Sequence, residues 1–300
     1  MRYLTLTLLA VPGFAVDAVD VWDEVDHHWA KNGDLKIHYT TLGEGKPVLF
    51  IHGFPDIWYS WRHQMAALSG DFKTAAMDLR GYNQSSQPEG IENYELSHIL
   101  TDVMAVIDDL GADKVTLVGH DWGGAIAWRF AMQNPERIEH LVILNLTHPK
   151  GYANVIANPT PAQKQNTEYA RRFASSPPDG SPVPDRILGI GYRSGDPVVG
   201  AHYREALGRS SYDAMVNYYR ANYGRLADGQ GGELPNLQMP VLQFHGLKDN
   251  AVDKDGLKDT WNWVDEDYTL VTVPSSGHFV QWEAAELVSE TLRTWLMARQ

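Results

Sequence analysis

The chain has 300 residues, 43% of them hydrophobic, enough for one large α/β core with an inserted subdomain. A formal net charge of −13 without any lysine- or arginine-rich run removes the electrostatic footprint that nucleic acid demands and points to a small neutral partner. The absence of cysteine excludes disulfides, thiolate metal sites and a cysteine nucleophile together.

At the N-terminus Arg2 precedes the apolar run Tyr3 to Val11, a Pro12-Gly13 break and small residues around Ala15 to Ala18. Residues 1–20 therefore read as a short secretory signal, which implies export to the periplasm or beyond. The competing reading is a buried first strand or helix, which leaves the protein cytoplasmic. No apolar run reaches the roughly 20 residues of a membrane-spanning helix.

After this segment His28 to Ala30 and Lys36 to Thr40 are strand-like and meet at Asn32-Gly33, a hairpin turn signal, so the sheet is expected to begin antiparallel. Pro47 to Ile51 is a continuous apolar strand opening into the loop His52-Gly53-Phe54-Pro55-Asp56. Thr74 to Met77 is the next strand, followed by Asp78 and a polar loop from Arg80 to Ser85. Leu96 to Leu110 has apolar residues at helical spacing and stops at Gly111. Val115 to Val118 then reads as a buried strand, Ala125 to Met132 as a helix and Leu141 to Leu146 as a strand. Strand, helix and strand in this alternation predict a parallel, doubly wound sheet whose carboxyl strand ends build the site.

From His148 to about Gly232 the chain becomes rich in Pro, Gly, Tyr and Arg, with helices expected over Ala162 to Phe173 and Ser211 to Tyr223 and no buried strand. Residues 148–232 are thus a helical cap inserted into a core made of 21–147 and 233–300. Strands return at Pro240 to Phe244 and Tyr268 to Val273, and the amphipathic stretch Ala284 to Met297 closes the chain. The glycines from Gly229 to Gly232 lack the Lys-Ser/Thr of a phosphate loop and read as the linker out of the cap.

The chemistry centres on Gly119-His120-Asp121-Trp122-Gly123-Gly124, a lone carboxylate among glycines at a strand-to-helix junction. Glycine permits the sharp bend and a close helix, so Asp121 is pushed out over the sheet edge, before a helix N-terminus that favours negative charge. A simple N-cap is the plainer role for an Asp here, but it does not explain the glycines. Asp249 and His278 fall in loops after late strands, and the order Asp121, Asp249, His278 matches nucleophile, acid and base in hydrolases with a nucleophile elbow. His27 and His28 lack further metal ligands and read as surface; Asp78 and Asp102 read as turn and helix-surface residues.

These segments give the chain its resemblance. His52-Gly53-Phe54-Pro55 with Trp58 to Arg62, the motif around Asp121, Tyr169 to Phe173 and Asn217-Tyr218-Tyr219-Arg220 resemble an α/β-hydrolase-fold epoxide hydrolase of the soluble type, from about His27 to the C-terminus. The first two motifs are shared with haloalkane dehalogenases; the cap tyrosines discriminate. The resemblance implies a covalent ester on Asp121, water activation by His278 oriented by Asp249, and oxyanion donors in the backbone N–H groups of Phe54 and Trp122. It further implies that Tyr169 and Tyr219 donate a proton to the oxirane oxygen, with Tyr203, Tyr212, Tyr218 and Tyr223 nearby as competitors. His52, Trp122 and His148 are expected at the substrate wall, although His148 could equally be structural at its domain junction. The expected partners are a small apolar epoxide and water, with no cofactor and no metal. The rival readings are a haloalkane or haloacid dehalogenase using the same three residues, and a hydrolase fold that only binds a ligand. Phe54, where many haloalkane dehalogenases carry a halide-binding Asn, weakens the first.

Overall fold

A computed structural model describes residues 20–227 and 234–300. The readings of residues 1–19 as a signal and of Gly229 to Gly232 as a linker lie outside the described residues.

An eight-stranded sheet in the order β1-β2-β4-β3-β5-β6-β7-β8 forms the core. β1 (Asp26–Asn32) and β2 (Leu35–Leu42) form the antiparallel hairpin, turning at Gly33, and β2 runs antiparallel to β4 (Lys73–Met77). β3 (Pro47–Ile51), β4, β5 (Val115–His120), β6 (Ile138–Leu144), β7 (Val241–Gly246) and β8 (Tyr268–Val273) are parallel. Val48 to Ile51 in β3 are fully buried, as strands covered on both faces must be. Each such side chain contributes about 1.5–3 kcal/mol by leaving water. The core helices are α1 (Arg62–Leu68), α2 (Leu96–Asp109) and α3 (Trp122–Gln133), with α10 (Val280–Glu283) and α11 (Ala285–Met297) at the end of the chain. Among the described residues no helix is long and apolar enough to cross a membrane.

Two boundaries differ from expectation for physical reasons. α3 begins at Trp122, not Ala125, because Gly123 sits inside its first turn: a Cβ there would lie 2.1 Å from the Ile51 carbonyl oxygen. Close strand contact outweighs the poor helix propensity of glycine. β6 begins at Ile138, which pairs with Val115, and ends before Asn145, whose φ of 44° turns the chain out of the sheet.

Between β6 and β7 lie α4 (Pro149–Ala157), α5 (Pro161–Asn166), α6 (Glu168–Ser175), α7 (Asp185–Leu188), α8 (Pro197–Gly208) and α9 (Tyr212–Ala227). The single helix expected over Ala162 to Phe173 is two, broken at Thr167, and α4, α7 and α8 were not foreseen. Polar bonds tie this segment to the sheet. The Tyr203 hydroxyl donates to Asp56 at 2.8 Å, and the Tyr218 hydroxyl donates to the Arg80 carbonyl at 3.0 Å. Asn222 accepts from Leu96 N–H and donates to the Tyr94 carbonyl, both at 2.8 Å, and so caps the first turn of α2. Gly81 lets α9 approach, since a Cβ on it would meet Ala214 at 2.6 Å.

Asp102 is not a helix-surface residue but fully buried, and Asp78, in the turn after β4, is fully buried as well. Asp102 accepts two hydrogen bonds from the Arg80 guanidinium, at 2.5 and 2.7 Å, and one from Asn32 at 2.8 Å. Asp78 accepts from His38 at 2.6 Å, from Asn83 at 2.8 Å and from the Trp58 N–H at 2.9 Å. A carboxylate tolerates burial only when so fully satisfied. His27 and His28 are also engaged, with His38 at 2.8 Å and Thr41 at 2.9 Å.

Candidate active site

Asp121 stands between β5 and α3 with φ 52° and ψ −120°, a conformation that costs a non-glycine residue roughly 1–3 kcal/mol. Glycines on three sides make room for it. A Cβ on Gly53 would lie 2.4 Å from the Asp121 side chain, and one on Gly119 would lie 2.3 Å from the Gly123 carbonyl oxygen. Although Asp121 occupies the N-cap position of α3, its carboxylate makes no capping bond. One oxygen accepts from the Phe54 N–H at 2.8 Å and the other lies 3.5 Å from His278 Nε2. Burial pushes its pKa up, but the bond and charge of His278, the His120 ring and the Phe54 N–H together hold it below the ordinary value. The group is therefore ionised at neutral pH.

His278 Nδ1 and Asp249 are 2.9 Å apart. Asp249 also accepts from the backbone N–H groups of Ala251 (2.7 Å) and Val252 (3.0 Å) and from the Asn145 side chain (2.8 Å). Burial opposes its ionisation, and the His278 charge with these donors reverses that and leaves its pKa well below the usual carboxylate range. For His278 burial acts to lower the pKa, while the charge of Asp249 and the bonds to both carboxylates raise it to about 10. The resting site is carboxylate, imidazolium and carboxylate.

Two neighbours went unforeseen. Asn145 bonds both Asp249 and the Gly277 carbonyl (3.0 Å), tying together the two loops that carry Asp249 and His278. His120 Nε2 lies 2.8 Å from the His278 carbonyl oxygen, and burial pushes the His120 pKa down to about 4, so the ring is neutral. An asparagine directly after a buried strand, and a histidine at the end of one, were the only signals.

A cavity of about 320 Å³ holds Asp121, with Trp122, Tyr152, Tyr169, Tyr219 and Tyr223 in its wall. Tyr169 and Tyr219 are ring neighbours, 6.1 Å between centroids, and Tyr219 stands edge-on to Trp122 at 5.1 Å and to Phe54 at 5.4 Å. Burial, and then the nearby charge of Asp121, raise the pKa of Tyr169; burial and the neighbouring Tyr169 and Asp121 do the same to Tyr219. Both phenols stay protonated. A second, more open cavity of about 830 Å³ has His278 and Phe54 in its wall and shares Tyr169 and Ala251 with the first.

Of the competing tyrosines, Tyr203 and Tyr218 are spent on bonds to the core, Tyr212 faces the second cavity and Tyr223 the first. His52 is not at the substrate wall: it is fully buried, with Nδ1 against the Gly53 carbonyl (2.8 Å) and Nε2 accepting from the Leu79 N–H (3.0 Å). It shapes the loop that presents Phe54. His148 is likewise buried, stacked on Trp263 at 4.6 Å, and its Nδ1 accepts from the Lys150 N–H at the start of α4. Trp122, the third expected wall residue, is in the cavity lining.

The sheet order and the elbow between β5 and α3, with Asp249 and His278 in the loops after β7 and β8, define an α/β hydrolase fold whose elbow carries Asp in place of Ser. The α/β hydrolase fold family matches this chain over residues 46–285. Epoxide hydrolase 1 of Caenorhabditis elegans is 30% identical over 289 residues, covering 90% of this chain and 70% of the relative. The crystal structure of Bacillus megaterium epoxide hydrolase with an inhibitor superposes with a TM-score of 0.81 at 28% identity, covering 90% of this chain and 99% of that one. That of epoxide hydrolase VrEH1 from Vigna radiata gives 0.70 at 27% identity, covering 92% and 99%. The chain belongs to the epoxide hydrolases of the α/β hydrolase fold.

Proposed function

We propose that the protein adds water to an oxirane, giving a vicinal diol, through a covalent ester on Asp121. The observation that carries this reading is one cavity whose wall holds both the ionised carboxylate of Asp121 and two protonated phenols. A carboxylate oxygen of Asp121 attacks a ring carbon and the carbon–oxygen bond opens. The electron pair left on the ring oxygen takes a proton from Tyr219 or Tyr169, lying in the helical cap over the sheet. A positioned hydroxyl of this kind serves an alkoxide far more than a halide, which separates this reading from a dehalogenase.

Ester formation then switches the base on. Two of the influences that hold the proton on His278 come from Asp121, and both vanish when its charge does. The proton His278 gives up replaces the one the tyrosine lost. The neutral imidazole, oriented by Asp249, takes a proton from water, and the hydroxide adds to the ester carbonyl. The N–H groups of Phe54 and Trp122 serve the oxyanion, Phe54 already donating to Asp121 and Trp122 being the first residue of α3 with a helix-end donor to spare. Collapse breaks the ester bond, the carboxyl proton passes to the departing alkoxide, and carboxylate and imidazolium are restored.

The test is His278→Gln incubated with a small terminal epoxide. It should gain one substrate mass on the peptide containing Asp121 and release no diol. A variant that turns over normally, or wild-type protein that frees halide from haloalkanes faster than it opens any epoxide, would refute the proposal.

A further inference from the structure

Ser60 is fully buried in the short helical turn Trp58–Trp61, just after the loop that presents Phe54. A hydroxyl has one proton to give and two lone pairs to receive with, and Ser60 uses all three. It donates to Asp56 at 2.7 Å and accepts from Trp282 Nε1 at 2.8 Å and Gln281 Nε2 at 3.1 Å. These partners belong to opposite sides of the candidate site. The Asp56 N–H donates to the Gly53 carbonyl at 2.9 Å and so closes the turn from which the Phe54 N–H reaches Asp121. Gln281 and Trp282 belong to α10, which starts at Val280, two residues after His278. The Trp282 ring stacks at 5.0 Å on Phe279, which stands edge-on to the His278 ring at 5.2 Å.

The two sides depend on Ser60 unequally. Asp56 also accepts from the Ile57 N–H at 2.9 Å and from the Tyr203 hydroxyl at 2.8 Å, and keeps its place without Ser60. The side-chain N–H groups of Gln281 and Trp282 have no other acceptor among the described residues. A buried N–H without an acceptor is costly, so removing the hydroxyl drives α10 to shift toward another partner. Gln64 of α1 donates to the Gln281 carbonyl at 3.1 Å, so the helix shifts without detaching.

We infer that Ser60 is a positioning residue for hydrolysis of the Asp121 ester, its hydroxyl fixing the reach between His278, which activates the water, and the oxyanion donor Phe54. Ester formation asks less of it, since that attack needs Asp121 and a cap phenol but no base. The inference rests on the proposed two-step chemistry for the step it assigns, but not for the placement of His278.

The experiment compares wild type, Ser60→Ala and Trp282→Phe on a small terminal epoxide. Slow hydrolysis makes the ester accumulate, so in Ser60→Ala both kcat and KM should fall about 10–100-fold while kcat/KM, which reports ester formation, stays within about threefold. Mass spectrometry during turnover should find the added substrate mass on most of that variant. Trp282→Phe removes one of the two α10 donors and should show the same split to a smaller degree, with the double variant no worse than Ser60→Ala. It is the arbiter if Ser60→Ala folds poorly. Tyr203→Phe is the control: it takes a different donor from Asp56, leaves α10 tied to Ser60, and should lower stability without the split. In the resting protein the His278 titration should move too. Each ~1 Å of retreat from Asp121, 3.5 Å away, lowers its midpoint by just under about one unit at an effective dielectric constant of about 20. Unchanged kcat in Ser60→Ala and Trp282→Phe, or a fall in kcat/KM that matches the fall in kcat, overturns the inference. If the wild type opens no epoxide, the reaction proposed above fails by itself. A His278 midpoint lowered in Ser60→Ala and Trp282→Phe but not in Tyr203→Phe then sustains the positioning role, and an unmoved midpoint removes it.

Discussion

Replacing Asp121 with Asn removes one charge from the site and barely changes its shape, which isolates the coupling on which the proposed second half-reaction depends. Asp121 and His278 Nε2 are 3.5 Å apart, both largely shielded from solvent. Unit charges at that separation attract by about 5 kcal/mol at an effective dielectric constant of about 20. At about 1.36 kcal/mol per pKa unit, the imidazolium should lose roughly three and a half units, falling from about 10 to about 6.5. The assay is a proton NMR titration of the ring Cε1–H from pH 5 to 11; with twelve histidines in the chain, the signal must be assigned by its loss in His278→Gln. The same coupling has a stability signature. The folded pKa lies above the unfolded one, so the stabilisation is full below about 6.5 and is lost as pH rises through about 10. Asp121→Asn should flatten that alkaline decline. Equal midpoints in wild type and Asp121→Asn, or a wild-type midpoint near 6.5, would refute the idea that alkylation creates the base.

Three further outcomes follow from contacts described above. Asp102→Ala strands the buried Arg80 guanidinium and should cost about 3–5 kcal/mol, read as a lower urea midpoint; a loss under about 1 kcal/mol would contradict the buried pair. Tyr203→Phe removes a donor from Asp56, whose pKa burial already lifts to about 6. Because ionised Asp56 needs that donor more than the protonated form does, the destabilisation relative to wild type should grow as pH rises from 5 to 8, reaching about 1–3 kcal/mol. Gly53→Ala would push a methyl group into Asp121 and should cut turnover at least about 100-fold while circular dichroism stays unchanged; an active variant would mean that the elbow has slack.

The parts of the fold that read clearly from sequence are those where burial leaves a periodic or unbroken trace. β3, β5 and β7 are apolar runs because both faces are covered, and Asp121 stood out because glycines surround it. Tyr219 came from a motif, and Tyr152, in the wall of the same cavity, had none. Asp102 was misread although it falls on the same inner stripe of α2 as Ile99, Val103 and Val106. The stripe announced burial, but the partner that makes burial tolerable, Arg80, is far away in sequence, so only the assembled chain reveals it. Asn145 failed for the same reason, its two partners being brought together by loops more than a hundred residues downstream. His52 shows the converse: a recognisable motif residue whose task is to hold a loop, not a ligand.

The way the two tyrosines are mounted has an architectural consequence. Tyr219 sits on α9, whose neighbours Tyr218 and Asn222 are bonded directly to the backbone of the core. Tyr169 sits on α6, which leans on α9 and meets the core through the contact of Phe173 with Phe54, 5.5 Å between rings. One wall of the chamber is thus masonry and the other a hung panel. Lineages diverging from this scaffold can recut α4 to α6, and with them the size and taste of the chamber, while Asp121 and Tyr219 keep their mutual geometry. Selectivity and reactivity are thereby placed on separately adjustable pieces of a single chain.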